Sequence, residues 1–222
     1  MTTQEIILDA AEEVFAESGF HGATTRAIAE KAQANSALIH YYFGNKENLF
    51  EAVFARRSEA INEERSARLA EMHRGRAVTL EAVLDALLRP TVSLGRDPAR
   101  GGAHYARLVV HVASGTDERS RRLTGERYNA IALRFIDEIA AVTPGLSRKD
   151  TVRCYMNAIA IGMSLMAPTG RAEDLSKGAL RDDDIDAIID GAVRFIAAGT
   201  RAIADAGGHG DGVEEYPGTP RQ

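Results

Sequence analysis

The chain has 222 residues, 45% of them hydrophobic, with 27 basic against 32 acidic side chains for a net charge of −5. That length and apolar content suit one large domain or two small ones with a packed core, and exclude global disorder and a polybasic coat for nucleic acid or membranes. A lone cysteine, Cys154, excludes an internal disulfide framework and a multi-cysteine zinc cluster.

No proline falls in the first 89 residues, so continuous helix is allowed there. Thr2 and Glu5 have capping-box spacing, and Ile6, Ile7, Ala10, Ala11, Val14 and Phe15 follow with helical period until Gly19. Thr24 or Thr25 caps a short helix that points Ile28, Ala29 and Ala32 inward. After a tight connection at Gln33 and Ala34, Asn35 caps another helix that runs to Phe43 and stops at Gly44. Asn45 then caps a long helix through Leu49, Phe50, Val53, Phe54 and Ile61 towards Met72.

The same period continues. Leu80, Val83, Leu84, Leu87, Leu88 and Thr91 form one helix face; Tyr105, Leu108, Val109 and Val112 form the next, closed by Gly115. Tyr128, Ile131, Phe135, Ile139 and Val142 line a longer helix that ends at Pro144. Residues 151–166 are apolar on two sides, and Asp182, Asp183 and Asp184 suit the start of a last helix with a wide stripe from Ile185 to Ile203. Helices apolar nearly all round are buried on several sides, so this pair is expected to pack against a second subunit, four helices meeting across a twofold axis. No alternating run reads as a strand. The expected fold is all-α, with about nine helices. Residues 207–222 hold five glycines and two prolines and are expected to be a disordered tail.

Residues 20–50 carry the functional signal. Helix, three-residue turn, helix and a capped third helix are the layout of a helix-turn-helix, whose second helix enters the DNA major groove. Asn35 as N-cap leaves Ser36, Ala37, Leu38, Tyr41 and Tyr42 on or near the outer face, while Ile39 and Phe43 turn inward with Ile28. The stretches FAESGFHGATTRAIAEKA and SALIHYYFGNKENLF resemble the DNA-binding domain of the tetracycline-repressor family of bacterial transcriptional regulators. The resemblance covers about the first quarter of the chain; the later helices fit that family's ligand-binding and dimerisation domain in length and pattern.

The resemblance implies a role for each matching residue. Thr25 and Arg26 open the positioning helix at phosphate, with Arg26 also in reach of a guanine edge. Ser36, Ala37 and Leu38 take the base-reading positions, Leu38 by apolar contact with a thymine methyl. His40, Tyr41 and Tyr42 touch the backbone and brace the helix, and Lys46 clamps a phosphate at the next helix N-terminus. Two residues depart from the family pattern: Gln33 stands where many members have Gly, and Leu38 where Thr is common. Residues 1–50 carry three basic and seven acidic side chains, but residues 20–46 carry three and one, which points to modest phosphate contact per subunit and reliance on a dimer.

The implied organisation is a DNA-binding domain at 1–47 and a ligand-binding and dimerisation domain at 48–206. The partners are a double-stranded operator, a largely apolar small-molecule effector and a second copy of the chain. For the effector, helical phase offers His104, Tyr105, Leu108, His111, Tyr128 and Met163. The His104, Arg107 and His111 face reads equally as an exposed polar edge, and Met163 as core. No cofactor, metal or catalytic residue is expected, since nucleophile-elbow, P-loop, HExxH and GxGxxG motifs are all missing. Glu5 and Asp9 do not fit a secretory signal, and the longest uncharged run, 154–170, falls short of the ~20 apolar residues of a membrane span, so the expected location is cytoplasmic with no membrane partner. The competing reading is a helical-bundle carrier or enzyme without operator binding, with the first 50 residues as scaffold.

Overall fold

Side-chain caps set nearly every helix start in the computed structural model, which describes residues 1–74 and 77–207. Thr2 caps α1 (Thr3–Gly22): its hydroxyl accepts from the Glu5 N–H at 3.3 Å, and the Glu5 carboxylate accepts from the Thr2 N–H at 2.6 Å. Gly19 adopts φ 66° and ψ 175°, a conformation open to a residue without Cβ, and interrupts the helix where the sequence signals a stop. Thr24 rather than Thr25 caps α2 (Thr25–Lys31), Asn35 caps α3 (Ser36–Phe43) and Asn45 caps α4 (Lys46–Met72). Thr79, Asp117 and Ser147 cap α5 (Leu80–Gly95), α7 (Glu118–Val142) and α8 (Arg148–Leu165). Between them, α6 (Gly102–Ser114) follows a single 3-10 turn, Pro98–Arg100. The fold is all-α among the described residues, with ten α-helices. The one not expected from periodicity is the five-residue α9 (Arg171–Leu175), too short to show a period. Asp184 accepts from the Ala187 N–H at 3.0 Å and starts α10 (Ile185–Gly207). The expected tail lies outside the described residues apart from Gly207, which ends α10.

Two apolar clusters result. One joins Ile7, Phe15, Ile28, Ile39, Phe43, Leu49 and Phe54 to Leu108 and Val112 of α6. Residues beyond position 47 therefore complete the core on which the helix-turn-helix stands. The other packs Leu84, Leu87, Phe135, Ile189, Val193 and Ile196, from α5, α7 and α10. The long α4 serves both, with Phe50 and Phe54 in the first and Leu69 in the second.

α1 is also fastened to α4 electrostatically. Glu12, only 2% exposed, accepts from Arg57 Nε at 2.8 Å and Nη2 at 3.0 Å and from Arg56 Nη2 at 2.8 Å, while Arg56 also reaches Asp9 at 2.7 Å. A buried carboxylate held by two guanidinium groups is tolerated because its oxygens are hydrogen-bonded as well as paired.

The last helices leave an apolar face uncovered. Val152 and Met156 of α8 and Phe195 and Ile203 of α10 are exposed, Phe195 at 73%. A Cβ placed on Gly191 or Gly199 would meet nothing within 4 Å. No helix among the described residues is long and apolar enough to cross a membrane.

Candidate nucleic-acid interface and interior cavity

The helix-turn-helix is held from below by Ile28, Ile39 and Phe43, all buried, as their inward phase requires. Ser36, Ala37, His40, Tyr41 and Tyr42 are exposed on α3 and Leu38 is half-buried. Tyr41 is 79% exposed, a poor position for an aromatic ring unless something covers it. Its ring lies edge-on to Tyr42 at 5.1 Å. His40 donates from Nδ1 to the Gly44 carbonyl at 2.9 Å, fixing its ring at the C-terminus of α3. In the turn, Gln33 adopts φ 50°, the left-handed region that glycine occupies without strain. Thr25 and Arg26 open α2, where Arg26 pairs with Glu30 at 2.9 Å with both side chains exposed.

Lys46, the phosphate clamp implied by the resemblance, also makes bonds within the chain. Its ammonium donates to the carbonyls of Phe20 and Ala23, each at 2.8 Å, and lies 4.5 Å from the centre of the Phe20 ring. The last carbonyls of a helix lack intrahelical donors, and Lys46 supplies them at the end of α1. One of its three N–H bonds is left for another acceptor.

α7 grips the same corner. Arg119 lies 3.8 Å from the Phe20 ring centre and donates to Glu47 at 2.9 Å. Further along the same two helices Arg122 pairs with Glu51, Arg127 with Glu59 at 3.0 Å, and Arg134 donates to Ser66 at 3.0 Å. This ladder runs along α4 from its first turn to beyond its middle. Sequence reasoning missed it because the partners are some 70 positions apart, although the charges recur along each helix.

Inside the bundle is a cavity of about 180 Å³ walled by α4, α5, α6, α7 and α8. Of the six expected effector residues, Tyr105, Tyr128 and Met163 line it. His111 lies instead on a separate open groove with Arg107 and Val110, also touched by Met163. His104 and Leu108 line neither, because α6 turns Tyr105 and Val109 to the cavity and packs Leu108 into the first core. The Tyr105 and Tyr128 hydroxyls are 2.8 Å apart, and burial pushes both phenols above their ordinary range, Tyr105 furthest. Arg65, Thr91, Thr124 and Tyr155 also line the cavity and were missed. Arg65 carried a legible signal: it interrupts the i, i+4 apolar series Ile61, Arg65, Leu69 at a core position. Arg65 is 3% exposed and donates from Nε to the Leu87 carbonyl at 3.0 Å and from Nη2 to Thr91 Oγ1 at 2.9 Å. Burial pulls its guanidinium below the usual arginine range. Among the described residues, no three His, Cys, Asp or Glu side chains gather to hold a metal.

A groove-sized exposed helix on a helix-turn-helix, joined by one long helix to a bundle with an internal cavity, is the architecture of a one-component helix-turn-helix regulator. Family models agree at both ends: residues 7–53 match that of the bacterial regulatory proteins of the tetR family, and residues 85–199 match the tetracyclin repressor-like C-terminal domain. The second match alone spans more than half of the chain, and the chain belongs to the tetR family. The transcriptional repressor NicS of Pseudomonas putida is 45% identical over 51 residues, 23% of this chain and 24% of that protein. The transcriptional repressor AcnR of Corynebacterium glutamicum is 38% identical over 65 residues, 28% and 35%. These similarities thus span about a quarter to a third of the relatives' length. Solved structures extend the likeness of fold over most of the chain. A TetR-like regulator from Rhodococcus sp. RHA1 superposes with a TM-score of 0.64 at 18% identity, covering 89% of this chain and 94% of that one. FadR from Bacillus subtilis in complex with stearoyl-CoA superposes at 0.61 and 17% identity, covering 88% and 98%.

Proposed function

We propose that the protein is a cytoplasmic, homodimeric DNA-binding transcriptional regulator, a repressor released from a pseudo-palindromic operator when a small molecule occupies the cavity. The observation that carries this reading is α3, which exposes Tyr41 and Tyr42 beside small Ser36 and Ala37 while anchoring itself through Ile39 and Phe43. Ser36, Ala37 and Leu38 read base edges; Thr25, Arg26, His40, Tyr41 and Tyr42 engage the backbone. Lys46 contributes its charge and its remaining N–H, and fixes the height of α4 against α1. The repressors NicS and AcnR, similar over this segment, support the direction of regulation.

Two subunits meet through the exposed apolar face of α8 and α10, which sets the recognition helices about one DNA turn, roughly 34 Å, apart. The effector enters the cavity against Tyr105, Tyr128 and Met163; the stearoyl-CoA held by FadR supports a small-molecule ligand in this fold. Because α4 lines the cavity with Ile61 and Arg65 and carries Lys46 at its other end, occupancy shifts α4 and with it the recognition helices.

Selection of bound sites from random duplex DNA at one stated salt concentration tests this. Enrichment of an inverted repeat with half-sites about one helical turn apart is the expected result. A folded protein that enriches nothing, even after bound ligands are stripped by unfolding and refolding, overturns it in favour of a carrier or enzyme.

A further inference from the structure

We infer that the cavity binds a small organic monocarboxylate, its carboxylate on Arg65 and its apolar body among Leu88, Val109, Ile159 and Met163. The inference rests on reading the cavity as the effector site and adds the chemical class of the effector.

Arg65 is a buried cation without a counter-ion. Its two hydrogen bonds go to neutral acceptors, a carbonyl and a hydroxyl, and no Asp or Glu lines the cavity. Those bonds use Nε–H and one Nη2–H, so three of its five N–H bonds, both on Nη1 among them, find no acceptor among the described residues. A buried guanidinium is normally paired, because the low dielectric makes an uncompensated charge costly. A planar fork with free N–H bonds matches a carboxylate.

Other spare groups on the same walls agree. Thr124 Oγ1 is buried without a hydrogen-bond partner, and the Tyr105–Tyr128 hydroxyl pair uses one of its two hydrogens internally. These hydroxyls and the guanidinium have donors to give, so the missing component is an acceptor with one negative charge. The remaining wall is mostly apolar. At about 180 Å³ the cavity slightly exceeds the ~150 Å³ that holds a benzene molecule, which suits a ligand of roughly six to twelve non-hydrogen atoms. Its exposed wall residues, Ala113, Asn129 and Met156, place the opening among α6, α7 and α8.

Arg65 also braces α5. Pro90 has no N–H to give the Ala86 carbonyl, and the neighbouring Leu87 carbonyl is the one that Arg65 reaches. A brace alone, however, has no use for a free carboxylate, and this difference is measurable.

The test uses the full chain and a panel of straight, branched and aromatic monocarboxylic acids of that size, each beside its primary amide, read by calorimetry at neutral pH. At least one acid is expected to bind about tenfold or more tightly than its amide. In Arg65→Gln the acid should fall to the affinity of the amide, with the amide unchanged. If that variant does not fold, the acid-to-amide ratio of the wild type decides. Acids and amides binding alike, no acid binding, or a preference that survives Arg65→Gln would overturn the inference. The two readings fail separately: uncharged ligands that fill the cavity and release operator DNA would leave the regulator standing without the carboxylate, whereas acid-selective binding by a chain with no DNA affinity would do the reverse.

Discussion

Arg119 Nε donates to the Glu47 carboxylate at 2.9 Å, joining the first turn of α7 to the first turn of α4 where the helix-turn-helix ends. The guanidinium also covers the Phe20 ring, so one side chain of the bundle holds the end of α1 and the start of α4 together. Glu47 is half-exposed, which keeps the pair weak. A double-mutant cycle of Arg119→Ala and Glu47→Ala is expected to give an interaction of about 0.2–1 kcal/mol that shrinks with added salt. Arg119→Ala should cost more than Glu47→Ala, because it also gives up the ring contact. Denaturant midpoints of the four proteins measure both.

Glu12 is the stronger fastening. Glu12→Gln removes the charge from a 2% exposed site and leaves Arg56 and Arg57 without their shared partner, so a loss of about 3 kcal/mol is expected from urea unfolding. An unchanged midpoint would mean that water compensates the guanidinium groups.

The turn between α2 and α3 holds a residue that its backbone does not favour. Gln33→Gly relieves a φ of 50° and is expected to raise stability by about 0.5–1 kcal/mol, the strain relieved less the extra chain entropy of glycine. The position is exposed, so no packing is lost.

On the DNA face, Tyr41→Ala and Lys46→Met should separate. The Tyr41 ring is solvent-exposed, so its removal is expected to shift stability by no more than about 0.5 kcal/mol while weakening operator binding. Lys46→Met should lower both, because it also strips two carbonyls of their donor. Melting temperatures and operator titrations on the same preparations distinguish them.

Stability should fall at both ends of the pH scale. Hydrogen bonds hold the carboxyls of Asp117 (to Ser120), Asp150 (to Ser147) and Glu81 (to Arg201) below the ordinary carboxylate range. Their contribution is therefore complete above about pH 4 and is lost as pH falls through the lowered values. Burial raises the phenols of Tyr105, Tyr128 and Tyr155. Their contribution is complete below about pH 10 and is lost above it, as the unfolded chain ionises where the folded one resists. Melting temperature against pH should show a plateau between these limits.

The sequence alone determined every helix but the short α9, and the helix-turn-helix. Capping side chains act on N–H groups two or three residues away, as Thr2, Asn35 and Asn45 do, and core phase is a local period, so Ile28, Ile39 and Phe43 were legible without a fold. Only the tertiary structure decided what fills the spaces between helices. The phase of α6 put Tyr105 and Leu108 on one apolar side; the packing of α1, α5 and α7 around α6 buried both in the first core and brought Tyr105, but not Leu108, to the cavity wall. The bonds of Lys46 to the Phe20 and Ala23 carbonyls, across more than twenty positions, came only with the packing of α1 against α4. Arg65 stood out in the sequence as an interrupted apolar series, but its role depends on which groups surround it. Hydrogen bonds, ion pairs and cavities between elements distant in the chain are set by how helices cross, and that geometry leaves no local trace in the residues that take part.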